Sequence, residues 1–166
     1  MKKILQTIAL SVGGLLVVAL VSLRIFGLEP QDQRPGLWLP GDLIEEPVTD
    51  WSFTDDHEEI YVQTNTIYGI PHSVTTYSTD YNGDYYLFSA YYGGGNFPED
   101  RGWNRNVMRD PRVRIKIGEG LYDRSLNYVD DEILRVAVHN ELELKYPGWD
   151  SPGLDNVYVF KVEPRN

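Results

Sequence analysis

Asn82-Gly83 constrains the fold of this 166-residue chain more tightly than any other pair. A two-residue Asn-Gly loop between extended runs needs positive φ at both positions. The turn it forms matches the right-handed twist of paired strands. The flanking runs, His72 to Tyr81 and Asp84 to Tyr92, are rich in Thr, Tyr and other residues that suit a pleated surface. They predict two antiparallel strands. Upstream, Ile60, Val62, Thr64, Thr66 and Tyr68 alternate with Tyr61, Gln63, Asn65 and Ile67, which predicts a further strand over 58–68 with one face buried. Gly69-Ile70-Pro71 is the turn between it and the hairpin.

Downstream, Gly93-Gly94-Gly95 opens a loop, and a short helix from about Trp103 to Arg109 follows. It stops before Pro111, because the residue before a proline is pushed out of the helical region. Val113, Ile115 and Ile117 alternate with Arg112, Arg114 and Lys116, which predicts a half-buried strand with a basic outer face. Leu121 to Val129 predicts its partner. Asp130-Asp131-Glu132 is a helix start, followed by an apolar stripe at Ile133, Leu134, Ala137, Val138 and Leu142 that ends at Pro147-Gly148. Val157 to Val162 is a closing strand. The order is three strands, a short helix, two strands, a helix and a strand. So many short strands joined by hairpin signals predict a mainly β, α+β domain built as a barrel with two helices.

The first 28 residues are of another kind. Lys2-Lys3 precede an apolar run from Ile4 to Leu23, broken only by Gln6, Thr7, Ser11, Ser22 and two glycines. At ~1.5 Å rise per residue, such a run spans ~30 Å, one hydrocarbon core. The sequence after Ala19, LVSLRIFG, offers no small-residue cleavage site, so residues 1–28 are expected to be an uncleaved membrane anchor. Lys2, Lys3 and the amino terminus outweigh Arg24 and Arg34, which predicts a single-pass protein of the cell inner membrane with its soluble domain extracytoplasmic. Residues 29–57, rich in proline and acid, are expected to be a tether and an arm packing through Leu37, Trp38 and Leu39. Residues 58–166 are then one domain.

Charge marks one segment of that domain. The chain carries −10, and residues 1–28 hold Lys2, Lys3 and Arg24 and no acid, so the rest carries −13. Such a domain is not expected to bind nucleic acid. No Lys or Arg occurs between Arg34 and Arg101, yet Arg101, Arg105, Arg109, Arg112, Arg114, Lys116 and Arg124 then follow closely. A local reversal of charge suggests a site for a phosphate or carboxylate, although the same residues also suit ordinary surface ion pairs. Tyr85, Tyr86, Tyr91 and Tyr92 suit either stacking on a planar ring or cross-strand packing. Other chemistries find no motif. His57, His72 and His139 lack metal spacing and there is no cysteine. Ser73 and Ser89 lack a nucleophile-elbow context, and no phosphate-binding glycine motif occurs.

Gly69-x-Pro71-His72, then a strand, the Asn82-Gly83 turn, a strand, and Asn106-Val107-x-x-Asp110-Pro111-x-Val113 resemble the FMN-binding split β-barrel. This is the fold of pyridoxamine 5′-phosphate oxidase-like proteins and the deazaflavin (F420)-dependent nitroreductases. The resemblance covers roughly residues 58–165. Pro98, Trp103, Asn106 and the Asp-Pro-x-Val strand are closer to the deazaflavin branch, and the Gly-x-Pro-His entry is closer to the flavin branch. It implies a membrane-anchored FMN- or F420-dependent oxidoreductase of the nitroreductase or quinone reductase type, acting on a small-molecule redox substrate as a homodimer. Carried over by position, Arg101, Arg105 and Asn106 would hold the cofactor phosphate, and His72, Ser73 and Thr75 would line the ring side. Trp103 stands where flavin-binding members often have a lysine, which leaves F420, another ligand or no cofactor open. The alternative is a non-catalytic, membrane-tethered binding module on the same barrel.

Overall fold

The computed structural model describes residues 2–165. Three α-helices, α1 (Lys2–Phe26), α2 (Gly102–Arg109) and α3 (Glu132–Lys145), accompany eight strands. These are β1 (Asp42–Leu43), β2 (Ile60–Thr64), β3 (His72–Thr76), β4 (Ser78–Tyr81), β5 (Asp84–Ala90), β6 (Arg112–Ile117), β7 (Gly120–Tyr128) and β8 (Val157–Pro164). Along the sheet they run β3-β2-β6-β7-β8-β5-β4, every neighbouring pair antiparallel, with the short β1 added parallel to β7.

The two ends of this path, β3 and β4, are separated in sequence by Tyr77 alone. The single strand expected over 72–81 is therefore one run bent at Tyr77, its first half paired with β2 and its second with β5. Across the bend the Thr76 hydroxyl donates to the Phe88 carbonyl, and the Phe88 N–H donates to the Tyr77 carbonyl at 3.2 Å. A sheet whose two end strands are halves of one continuous run is curved round into a barrel, with the bend at Tyr77 as its corner. The hairpin turn is as expected, with Asn82 at φ 54° and Gly83 at φ 83°.

The strand expected over 58–68 stops at Thr64. The Thr66 hydroxyl donates to the Ile70 carbonyl, a local bond that competes with the sheet ladder. The chain turns outward there, leaving Ile67 and Tyr68 in solvent. The basic outer face expected for β6 is also different. Lys116 is buried and paired with Glu29 from the arm, because the arm folds back over that face.

Two apolar layers hold the domain. Inside the barrel, Ile60, Val62, Tyr85, Leu87, Ile115, Leu126 and Phe160 pack with Trp103 and Val107 of α2 and with Trp51. Outside it, Tyr86, Phe88, Val157 and Val159 pack against Val138 and Leu142 of α3. β5 is thus buried on both faces, which explains its unbroken apolar centre, Tyr85 to Phe88.

α1 is long and apolar enough to cross a membrane, and none of it is buried. Past it, Leu28 and Trp38 pair through the backbone, and Gly36 bridges to Ser73, so residues 28–39 cap the outer edge of β3. Leu39 is buried and Leu37 and Trp38 are half-buried.

Candidate functional site

α2 begins at Arg101, whose extended backbone precedes the first helical turn. Its guanidinium donates to the Ala90 carbonyl at the end of β5 and lies 4.8 Å over the Tyr91 ring. Asn104, one turn on and fully buried, donates to the Ser89 hydroxyl at 2.9 Å and to the Tyr91 hydroxyl at 2.8 Å. Trp103 packs into the barrel against Phe160. These contacts fix the start of α2 against β5 and hold Arg101 at the rim of a cavity.

That cavity has a volume of about 650 Å³, within the size range of small-molecule and cofactor sites. Arg101, Trp103 and Thr75 line it, together with Val74, Thr76 and Tyr77 at the barrel bend and Phe88, Ala90 and Tyr92 nearby. Its other wall is the arm, Asp32 to Pro35, with Glu59. The arm thus supplies a second guanidinium, Arg34. No local pattern marks Arg34 for this position, because it sits in a stretch without period or motif and reaches the cavity through the Gly36–Ser73 bridge.

The other expected site residues lie elsewhere. Ser73 is fully buried, and its backbone exchanges bonds of 2.9 and 3.0 Å with Gly36, so the arm covers it. His72 is half-buried and outside the cavity lining, and burial pushes its imidazole below the ordinary value. Arg105 points to solvent and donates to the Glu99 carbonyl. Asn106 donates to the Thr64 hydroxyl at 3.0 Å and ties α2 to β2. The structure therefore brings Thr75, Arg101 and Trp103 together and leaves Arg105, Asn106, His72 and Ser73 outside the lining.

The remaining basic residues are mostly spent on structure. Arg112 makes a two-point pair with Asp110 at 2.8 and 2.9 Å, and Arg114 does the same with Asp123 at 2.8 and 3.0 Å. The Arg112 guanidinium and the Asn65 amide hold the Asp110 carboxyl well below the usual carboxylate range. Arg124 lies 5.6 Å over the Trp51 ring. Among the described residues, Arg101 and Arg34 have no carboxylate within 4.0 Å. Tyr85 and Tyr86 are core residues, so among the tyrosines singled out only Tyr92 faces the cavity, joined by Tyr77.

A phosphate-bearing planar cofactor fits this lining. The Thr75 hydroxyl is buried with no partner among the described residues, a donor awaiting an acceptor. Guanidinium forks bind phosphate by paired bonds, and Arg101 spends one such donor on Ala90. Tyr77, Phe88, Tyr92 and Trp103 supply apolar and aromatic surface.

No family model matches the chain, and no curated protein sequence matches it. Solved structures do. A protein described as a 5-nitroimidazole antibiotic resistance protein from Bacteroides thetaiotaomicron aligns with a TM-score of 0.55 at 17% identity, over 84% of this chain and 89% of that one. An F420-H2 dependent reductase aligns with a TM-score of 0.52 at 21% identity, over 64% of this chain and 95% of that one. A protein described as a pyridoxamine 5′-phosphate oxidase from Listeria innocua aligns with a TM-score of 0.50 at 16% identity, over 69% and 90%. What these likenesses share with the chain is the fold, a split β-barrel.

Proposed function

We propose that this split-barrel chain is a membrane-anchored oxidoreductase-like protein that takes FMN or F420 in the cavity between the barrel bend, α2 and the arm. The observation that carries this reading is the convergence of Arg101, Arg34 and the unpartnered Thr75 hydroxyl on one aromatic-lined cavity of about 650 Å³. Arg101 and Arg34 hold the phosphate, and Thr75 donates to it or to a ring carbonyl. Tyr77, Tyr92 and Trp103 orient the ring and exclude water. When bound, the cofactor supplies the hydride or electron transfer to a small redox substrate. Neighbours of the same fold include an F420-H2 dependent reductase, which supports this chemistry without choosing the cofactor. α1 fixes the domain to the inner membrane, with the barrel outside the cytoplasm, and the resemblance leads to a homodimer.

One observation favours a non-catalytic binding module instead. Asp32 and Glu59 share the cavity and offset the two guanidiniums, which weakens its pull on a dianionic phosphate. The deciding experiment is absorbance and fluorescence titration of the purified full chain in detergent with FMN and with F420. Saturable binding of either supports the oxidoreductase reading. No binding to folded protein moves the assignment to the tethered module.

A further inference from the structure

A second concavity, of about 390 Å³, lies where α1 meets the domain. Its lining carries three guanidiniums, Arg24, Arg114 and Arg165, against one carboxylate, Asp123. That carboxylate is fully engaged: Arg114 grips both its oxygens and Arg165 adds a bond of 3.0 Å. Arg24 has no carboxylate within 4.0 Å among the described residues and lies 5.9 Å over the Trp38 ring. The Gln63 carbonyl oxygen is taken by the Leu39 N–H, which leaves the Gln63 amide able to donate into the cavity. In a domain of strongly negative charge this is a positive, donor-rich hollow, and it sits at the exit of the apolar helix.

We propose that this hollow binds the phosphate of an anionic phospholipid headgroup in the leaflet where α1 leaves the bilayer. The inference rests on the membrane-anchor reading of α1. Arg24 lies in the last turn of that 25-residue helix. A helix of this length at ~1.5 Å rise exceeds a ~30 Å hydrocarbon core, so its last turn stands at headgroup depth. Trp38, an amphipathic ring beside Arg24, belongs at the same level. Guanidinium forks match phosphate geometry, and a site carried into the interface meets lipid phosphate at high local concentration. Arg114 and Arg165, rigidly held by Asp123, form the floor, and Arg24 closes over the headgroup from the helix end.

The test uses the full chain in neutral detergent micelles, with unfolding followed by tryptophan fluorescence. Phosphatidylglycerol is expected to raise the midpoint saturably, by about 2–4 °C. Phosphatidylcholine is expected to leave it unchanged, as is inorganic phosphate at the same concentration. The R24Q/R165Q double variant should lose the response. R24Q alone changes an exposed residue outside the barrel, so it keeps the test readable if the double variant folds poorly, and it should weaken the response. A response in R24Q and in the double variant as large as in the natural chain, or no response in the natural chain, overturns the proposal. A shift reproduced by inorganic phosphate alone overturns the lipid source. Flotation of the chain with phosphatidylcholine vesicles reads the anchor separately. A chain that floats but ignores phosphatidylglycerol keeps its anchor and loses this site. A chain that does not float but still responds in micelles loses the anchor and, with it, the lipid assignment.

Discussion

Arg101 and Arg105 stand one helical turn apart, yet only Arg101 reaches the cavity. The guanidinium of Arg101 is pinned by the Ala90 carbonyl and the Tyr91 ring, whereas Arg105 bonds back to the Glu99 carbonyl. Arg101→Ala is therefore expected to weaken FMN or F420 binding by about 1.5–3 kcal/mol, roughly 10- to 150-fold, the range for a charged hydrogen bond. Arg105→Ala is expected to bind within about twofold of the natural chain. Fluorescence titration of both variants checks the pair, and a larger loss in Arg105→Ala would return the phosphate to the helix surface. Asp110 gives a prediction in pH. Bonds from Arg112 and Asn65 lower its folded-state pKa below the ordinary 3.8, so the unfolded chain binds its proton first as pH falls. Its contribution to stability is full above about pH 5 and is lost progressively as pH falls from about 4 toward its lowered folded-state value. Asp110→Asn should be less stable at pH 7 and should lose less stability between pH 5 and 3. Denaturant midpoints across that interval measure both.

α3 shows how a helix is specified at both ends of its energetics. The Asp131 carboxylate accepts the Leu134 N–H at 2.7 Å, the cap expected from Asp130-Asp131-Glu132. Val138 and Leu142 are fully buried against β5 and β8. Asp131→Ala should cost about 1 kcal/mol, as lost caps do. Leu142→Ala should cost about 2–5 kcal/mol, because it opens a cavity that the barrel wall cannot collapse into. Equilibrium urea unfolding compares the two, and a cost at Leu142 no larger than at Asp131 would show that α3 packs loosely. The bent strand poses the opposite case. Nothing in His72 to Tyr81 marks Tyr77 as a corner, because both halves carry the same β-forming residues. The bend exists because Thr76 and Tyr77 bond across it to Phe88.

For the whole molecule, the arm decides more than its composition suggests. Through Glu29–Lys116 and Gly36–Ser73 it ties the exit of α1 to β6 and β3 and carries Arg34 to the cavity. α1, arm and barrel are thus coupled, and if α1 is the proposed anchor, a cofactor bound under the arm would sit on the membrane side of the domain. A reporter fused at the C-terminus that works only in the cytoplasm is expected to be silent in cells. Activity of that reporter would reverse the orientation and place the cavity inside. Cofactor binding is also expected to protect residues 28–39 from proteolysis, because the arm forms one wall of the cavity. Cleavage there at an unchanged rate would remove Arg34 from the site.

The sequence by itself determined the local elements: the Asn82-Gly83 turn, the stop of α2 before Pro111, the cap of α3 and the apolar span of α1. Each depends on a few adjacent residues whose backbone preferences are strong enough to act alone. It also carried the motifs of the split barrel, because turns and strand periods at fixed spacing reflect topology. Which arginines line the cavity was decided only in three dimensions. Seven basic residues share one stretch of chain, and each turns toward the nearest acceptor that folding provides. Asp110 and Asp123 take two of them, Glu29 takes Lys116, and backbone carbonyls hold Arg105 and Arg109. Arg34 enters the cavity from far away in sequence, through a contact between arm and sheet edge that no local pattern encodes.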